Sequence, residues 1–484
     1  MADALSLPAL HDGPLAELRV ALLEAGYADA FLGECEAIAP RMLDAIRLPA
    51  VHWWLRRDPR PAALIARLWA YGDVVDDGAL ARVFDAGLRS SLQRVGALRE
   101  ASGGFRGGLR LVPFCGLWIA SDEMHGEDPV MGPGATTQLL AGAIGPGAGR
   151  VLDVGSGAGS LALVAAARGA SEVVGVDLHP RAAAWARINA ALNQLELELH
   201  TGDLTAPVRG RRFDLVVAQP PFVVKPAEVA STTYLHGGAM GDELTMRLIA
   251  ELPGVLAPTG QARILFDSPW RADAPLWRRV RAAHADAELQ QLIFVSPGNS
   301  PELQAIGYAA NSHPSLGPEY AQTVLRYRAH LHAQGIERSE QALAVLRRGG
   351  ASPGLSVTLE RASLAVIDDA SIDQTLRAIE VASLATERLL ATVVGLPSEA
   401  WLVQEEAIDG SEVRLSLRLP ANRGGSEALS DAAALVIDQL REPTSVAELV
   451  SRHAAACEAD PREVQAGVVD FVRQSLVSGR LVAR

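Results

Sequence analysis

Residues 151–163, VLDVGSGAGSLAL, run as an apolar strand, break into three glycines within five positions, and resume as an apolar helix. No other stretch limits the possible folds as much. A strand that passes at once into a helix over bare backbone needs a left-handed or closely approached turn, which glycine allows at least steric cost. The turn also leaves backbone amides at the helix start open to a bound group. Gly155, Gly157 and Gly159 therefore mark either a tight turn of an α/β fold or a place where a ligand lies against the chain.

The surroundings favour an α/β fold. From about residue 130 to 350 the short apolar runs VLDV, EVVGVDL, LELHTGD, FDLVVAQ, ARILFD and QLIFVSP alternate with Ala-rich helical stretches. That alternation builds a parallel sheet covered by helices on both faces. Ligands in such sheets bind beyond the carboxyl ends of the strands. Residues 14–100 read instead as helices, with Asp76 and Asp77 as capping candidates, and FRGGLRLVPFCGLWIASDE follows as a Gly-rich hairpin. These observations predict a helical, winged-helix-like N-terminal domain over 1–128 and the α/β domain over 129–350. A mixed α+β connecting region follows over 351–425, with one helix through IDQTLRAIEVASLATERLLATVVG and a linker at ANRGGSEA. Over 426–484 three helices are expected, two opened by the boxes Ser445/Glu448 and Asp460/Glu463, forming a winged-helix-like C-terminal module.

Composition narrows the function. A chain of 484 residues exceeds one core, and 49% apolar with 21% charged residues reads as globular. No run reaches the roughly 18 uncharged apolar residues of a membrane span, and the acidic N-terminus does not read as a signal peptide. Cys35, Cys115 and Cys457 lie too far apart for a disulfide framework or a zinc spacing, so a cytoplasmic home is expected. A net charge of −13 argues against a nucleic-acid partner. Lysine occurs only at Lys225 amid abundant arginine, a bias expected of a GC-rich bacterial genome.

Three strand ends deliver chemistry. The spacing G-x-G-x-G lacks the longer G-x-G-x-x-G of dinucleotide sites, so hydride transfer with NAD fits poorly. A nucleotide phosphate and the amino-acid end of S-adenosylmethionine are the other candidates. In VVGVDLHP, Asp177 can accept both hydrogens of a ribose diol or cap the helix that follows. Asp203 in HTGD can accept from an adenine amino group. In FDLVVAQPPFVV the two prolines stop the strand and stiffen the turn. They would set Gln219 Oε1 and the Pro220 carbonyl to accept N–H bonds from a planar nitrogen, with Phe222 as a flat face. A planar nitrogen is a poor nucleophile, so alkylating it needs mainly positioning and dehydration.

The set VLDVGSGAGS, VVGVDLHP, HTGD and FDLVVAQPPF resembles the class I S-adenosylmethionine-dependent N-methyltransferases. Within them it is similar to the small-domain group with its Asn/Asp/Ser-Pro-Pro-Phe/Tyr signature. The resemblance covers roughly residues 130–270 and implies a Rossmann-like doubly wound mixed sheet binding S-adenosylmethionine. By it, Asp153, Gly155, Gly157 and Gly159 line the methionine moiety, Asp177 and Leu178 the ribose, and Asp203 and Leu204 the adenine. Gln219 borders the cofactor and, with Pro220 and Phe222, forms the catalytic set. Gln219 departs from the Asn, Asp or Ser of the group and reaches one methylene further.

Flanking segments supply candidate acceptor contacts. Asp128, Thr136 and Thr137 precede the first strand, although helix capping explains the threonines equally well. Lys225, Tyr234, His236 and Asp242 follow the prolines on a polar loop. His236 lacks partners at metal-ligand spacing, so no metal is expected. The reading that emerges is methyl transfer to an amide, guanidino or heteroaromatic amine nitrogen of a small molecule or peptide, with no membrane and a homodimer as the expected assembly. Two alternatives stay open: a protein glutamine or ribosomal RNA base as acceptor, and an adenosylmethionine-binding regulator with a DNA-binding winged helix.

Overall fold

Contacts divide the chain into two units, residues 1–285 with 298–340 and residues 286–297 with 341–484. The computed structural model describes residues 5–38, 40, 44–123, 128–229, 233–313, 316–350, 352–409 and 413–484. The segments of the expected acceptor loops at 124–127 and 230–232 thus lie outside the described residues.

The first unit is built on five parallel strands, β1 (Arg150–Val154), β2 (Glu172–Asp177), β3 (Glu198–Thr201), β4 (Phe213–Ala218) and β5 (Leu256–Pro269), in the order β5-β4-β1-β2-β3. Strand order reverses between β1 and β4, which is where such a sheet opens a crevice. Helices α1 (Ala135–Gly142), α2 (Ser160–Ala167), α3 (Pro180–Asn193) and α4 (Glu243–Glu251) connect and flank these strands. Val151, Leu152, Val174, Val216 and Val217 are fully buried, as expected of central parallel strands, which read as unbroken apolar runs. The Rossmann-like class I arrangement expected from the sequence is therefore present.

The N-terminal segment of this unit is helical and ends in two hairpins, Leu98–Ala101 with Gly104–Gly107 and Arg110–Phe114 with Leu117–Ser121, where the sequence suggested one. Two buried amides on α3 tie the second hairpin down. Asn189 exchanges both its hydrogen bonds with the Ala120 backbone at 2.8 Å and donates a third, also 2.8 Å, to the Ala158 carbonyl in the glycine loop. Asn193 repeats the exchange with Trp118, accepting at 2.9 Å and donating at 2.7 Å. The two side chains, four residues apart and so on one helix face, act as a surrogate strand for an edge that would otherwise leave buried backbone groups unsatisfied. Next along the chain, Asp122 accepts a forked bond from Arg181 on α3 and another from the Val130 amide at 3.0 Å. Burial opposes the Asp122 charge, but Arg181 outweighs it and holds the carboxyl below its usual range.

In the second unit, strand Gln290–Ser296 pairs antiparallel with Gln341–Arg347 and parallel with Ser356–Glu360. The single helix expected near 371–395 is two, Asp369–Ala382 and Thr386–Leu390, followed by strand Val393–Gly395. The expected linker at 421–428 holds a short 3-10 turn and an edge strand, Ser426–Ala428, paired with Val413–Arg418. Its small and polar residues fit an exposed edge as readily as a loop. Three helices follow, Asp431–Asp438, Val446–Ala456 and Pro461–Ser478. Ser445 caps as expected, accepting from the Glu448 amide at 3.2 Å, while Asp460 accepts from Arg462 rather than Glu463.

Candidate cofactor and acceptor site

A cavity of about 310 Å³ opens at the carboxyl ends of β1, β2 and β4. The glycine loop forms its floor. Gly155, Gly157 and Gly159 all have positive φ, +76°, +52° and +81°, a region that costs other residues roughly 1–2 kcal/mol. Their surroundings separate them. A side chain at Gly155 would meet nothing within 4 Å, and at Gly157 only the Met131 carbonyl at 3.8 Å. Both line the cavity. At Gly159 a Cβ would sit 2.9 Å from the Ala186 Cβ. Gly159 does not line the cavity; it is glycine because α2 begins there, pressed on α3.

Two carboxylates bracket the loop. Asp177, at the end of β2, accepts from the Gly157 amide and from the His179 amide, each at 2.8 Å. The α3 cap that the sequence allowed for Asp177 falls to His179, whose Nδ1 accepts from the Arg181 amide. Asp153 is 1% exposed. Its Oδ2 accepts from the Ala162 amide at 3.0 Å, whereas Oδ1 is buried with no partner among the described residues. Burial, reinforced by Asp177 and resisted by the Ala162 bond, pushes the Asp153 carboxyl up to about 7. An unsatisfied buried carboxylate oxygen is costly, and Asp153 borders the cavity. A ligand with a cationic end satisfies it. S-adenosylmethionine carries an ammonium and a sulfonium on its methionine end and a ribose diol beyond, so it fits the donor set of this end.

Leu178, Asp203 and Leu204 continue the wall. Asp203 accepts from Arg247 at 2.8 Å, but both side chains are more than half exposed, so this pair adds little to stability.

At the other end stands Gln219, immediately after β4. Its Nε2 donates to Thr136 Oγ1 at 2.6 Å. Pro220, Pro221 and Tyr234 lie beside it along the wall. Phe222 is absent from the lining; like Tyr234 it packs against the apolar cluster that contains Tyr308 and Tyr327, but unlike Tyr234 it does not border the cavity. Tyr234 reaches the cavity from the loop and is half-buried, and burial raises its phenol above the usual range. Asp128, also in the wall, accepts from the Thr233 amide at 2.7 Å and from its hydroxyl at 2.5 Å, which fixes Tyr234's neighbour to the opposite rim.

Three expected acceptor contacts lie outside the cavity lining. His236 pairs with Tyr327 Oη at 3.0 Å, and Asp242 is a buried partner of Arg279 and of Ser268, the latter at 2.8 Å. A buried acid paired with a partly buried arginine serves packing and charge balance. Lys225 turns onto the carbonyls of Pro226 and Val229. Sequence reasoning missed Arg247, Asn189, Asn193 and the Asp122–Arg181 pair. Only the amides in an otherwise Ala-rich helix carried a signal, since a polar residue amid helix-forming alanines needs a reason.

Residues 133–290 match the family model for the methyltransferase small domain. The release factor glutamine methyltransferase of Deinococcus radiodurans is 34% identical over 150 residues, covering 29% of this chain and 53% of that protein. The ribosomal protein uL3 glutamine methyltransferase of Bradyrhizobium diazoefficiens is 34% identical over 146 residues, 26% of this chain and 46% of that one. The ribosomal RNA small subunit methyltransferase C of Alcanivorax borkumensis is 36% identical over 112 residues, 23% of this chain and 30% of that one. The chain thus spans about half or less of the length of these relatives. The glycine loop, the two bracketing carboxylates and the Gln-Pro-Pro turn all lie within residues 133–290, the part of the chain that matches the methyltransferase small domain and is similar to these methyltransferases.

Proposed function

We propose that this protein transfers a methyl group from S-adenosylmethionine to a planar nitrogen of a peptide or small molecule. The observation that carries the reading is the juxtaposition, in one cavity, of an unsatisfied carboxylate at the glycine end and a Gln-Pro-Pro turn at the other. When bound, S-adenosylmethionine supplies an electrophilic methyl on a cationic sulfur. Asp153 with Gly155 and Gly157 receives the methionine end. Asp177 and Leu178 take the ribose, and Asp203 and Leu204 the adenine. Gly159 leaves the ligand set and belongs to helix packing. At the acceptor end, Gln219 Oε1 and the Pro220 carbonyl accept the N–H groups of the incoming nitrogen and aim its lone pair. Tyr234, rather than Phe222, is the flat face beside it. Positioning of this kind accounts for much of the barrier lowering when no strong acid or base is needed.

A protein glutamine is the acceptor we favour among planar nitrogens, because two of the relatives bear glutamine methyltransferase names. The charge of the wall weighs against RNA: Asp128, Asp153, Asp177 and Asp203 face the cavity against Arg247 and His179. Among the described residues no helix is long and apolar enough to cross a membrane. We further propose cytoplasmic residence, in line with three free cysteines, a homodimer, and flanking modules at 1–128, 351–425 and 426–484. The three C-terminal helices beside the sheet of Val393–Gly395, Thr444–Ser445 and Val482–Ala483 support the winged-helix-like character of the last.

Calorimetry with S-adenosylmethionine on wild type and Asp177→Ala tests the cofactor site, followed by mass-shift screening of glutamine peptides, guanidino compounds and heteroaromatic amines. Binding that is lost on substitution, with a 14 Da gain on an acceptor, is the expected result. Heat with NAD and none with S-adenosylmethionine would overturn the reading.

A further inference from the structure

The acceptor end contains a bond that the Gln-Pro-Pro turn cannot make alone. Gln219 Nε2 donates to Thr136 Oγ1 at 2.6 Å across 83 residues of chain. Both side chains are half-buried and both border the cavity. The neighbouring Thr137 has a different task, accepting from the Gly134 amide at 3.2 Å in the first turn of α1. Capping therefore explains Thr137 and leaves Thr136 unexplained.

A glutamine amide has two faces of opposite hydrogen-bonding sense, two N–H donors on one side and a carbonyl acceptor on the other. It also carries one more torsion than asparagine, and that last torsion is broad. Unrestrained, Gln219 would offer an incoming group a donor or an acceptor with similar ease. In the structure one Nε2 hydrogen is given to Thr136 Oγ1, which holds the amide with its nitrogen toward α1 and its Oε1 turned away from Thr136. Oε1 and the adjacent Pro220 carbonyl, two acceptors side by side, recognise a group with N–H donors. They reject the isosteric carboxylate, whose oxygens would meet those acceptors unpaired.

We infer that Thr136 is a positioning residue that orients Gln219 so that its carbonyl oxygen receives the acceptor's N–H, and that this bond sets the selection of an amide over a carboxylate. The inference rests on the functional reading above for the identity of the reaction, but the orientation itself does not. It also explains the departure from asparagine, since the longer glutamine is what spans to α1.

The test has two arms. In the first, protein labelled with ¹⁵N in glutamine side chains is studied by NMR without any acceptor, the Gln219 amide pair being identified by its loss in Gln219→Asn. Slow proton exchange of that pair in wild type and Thr136→Ser, lost in Thr136→Val, is expected. In the second, two peptides differing only by glutamine or glutamate at one position compete for the protein with S-adenosylhomocysteine bound. Wild type and Thr136→Ser should prefer the glutamine peptide, and Thr136→Val should lose that preference by about tenfold, the usual worth of one oriented hydrogen bond. The kcat/KM of methyl transfer to the glutamine peptide should fall similarly, while affinity for S-adenosylhomocysteine stays within about twofold. Unaltered Gln219 exchange and peptide preference in Thr136→Val would overturn the inference, as would a wild type that prefers the glutamate peptide. If S-adenosylhomocysteine binds and Gln219 exchange responds as expected, but no peptide is bound or methylated, the orientation stands. The proposed acceptor chemistry is then what fails.

Discussion

The two ends of the cavity are held by different kinds of bond. At the glycine end the anchoring contacts join backbone amides to carboxylates across short stretches: His179 to Asp177 over 2 residues, Ala162 to Asp153 over 9, Gly157 to Asp177 over 20. At the acceptor end they join side chains or loops far apart, Gln219 to Thr136 over 83 residues and Thr233 to Asp128 over 105. The first end is complete once β1 and β2 pair and α2 starts. The second needs three separate segments to arrive together. A cofactor end built locally keeps one ligand, while an acceptor end built from distant segments can change without disturbing it, which fits loops carrying specificity on a rigid scaffold.

Substitutions can break or sharpen that division. The largest effect is expected inside the glycine loop itself, where Gly159→Val should cost about 3–4 kcal/mol of stability by combining a positive φ with overlap against α3. Gly155→Ala has the same backbone strain with open space around it, so it should lose far less stability and mainly cofactor affinity. Denaturant melts of both variants decide; equal losses would mean that the loop glycines have one role and not two. Next, Asp177→Ala removes the carboxylate that holds the Gly157 amide and is proposed to take the ribose. Cofactor affinity should drop about 100-fold, the scale of losing charge-assisted hydrogen bonds, and calorimetry reads it directly.

Asp153 gives a pH signature. Its carboxyl is raised from 3.8 to about 7, so between those values the unfolded chain has released the proton while the ligand-free fold retains it. Stability contributed by the neutral form is complete below about pH 4 and is lost as pH rises to about 7, with a slope on the order of 1 kcal/mol per pH unit. Asp153→Asn should remove that slope from the difference between the two proteins' melts. A parallel pair of pH curves would show that Oδ1 is satisfied in solution. The smallest effect is expected for Asp203→Ala. Its exposed pairing with Arg247 is worth little, so cofactor affinity should change by less than about threefold; a larger loss would make the adenine contact as important as the ribose contact.

The residues whose place in the cavity wall was legible in the sequence share one property: they are marked by neighbours in the chain. Gly155 and Gly157 stand between a strand and a helix, Asp177 and Asp203 end strands, and Gln219 precedes two prolines. Gly159 looked the same but differs, because only the approach of Ala186 decides what its missing side chain is for. Phe222 belongs to the signature by position, yet it packs on the apolar cluster without bordering the cavity, whereas Tyr234 packs on that cluster and borders the cavity as well. Asp242 and His236 carry suitable groups on a suitable loop, but Arg279 and Tyr327 engage them. Nothing in a local pattern announces a partner tens of residues away.

The sequence by itself determined the strand–helix alternation and the crevice at the strand ends, and its family resemblance pointed to the cofactor class. The first two follow from periodicity and backbone freedom, which act between near neighbours. Only the tertiary structure decided which of the three glycines line the cavity, which aromatic borders it, and which threonine bonds to Gln219. Those choices depend on the direction of side chains across packed elements, and direction is set by packing rather than by order along the chain.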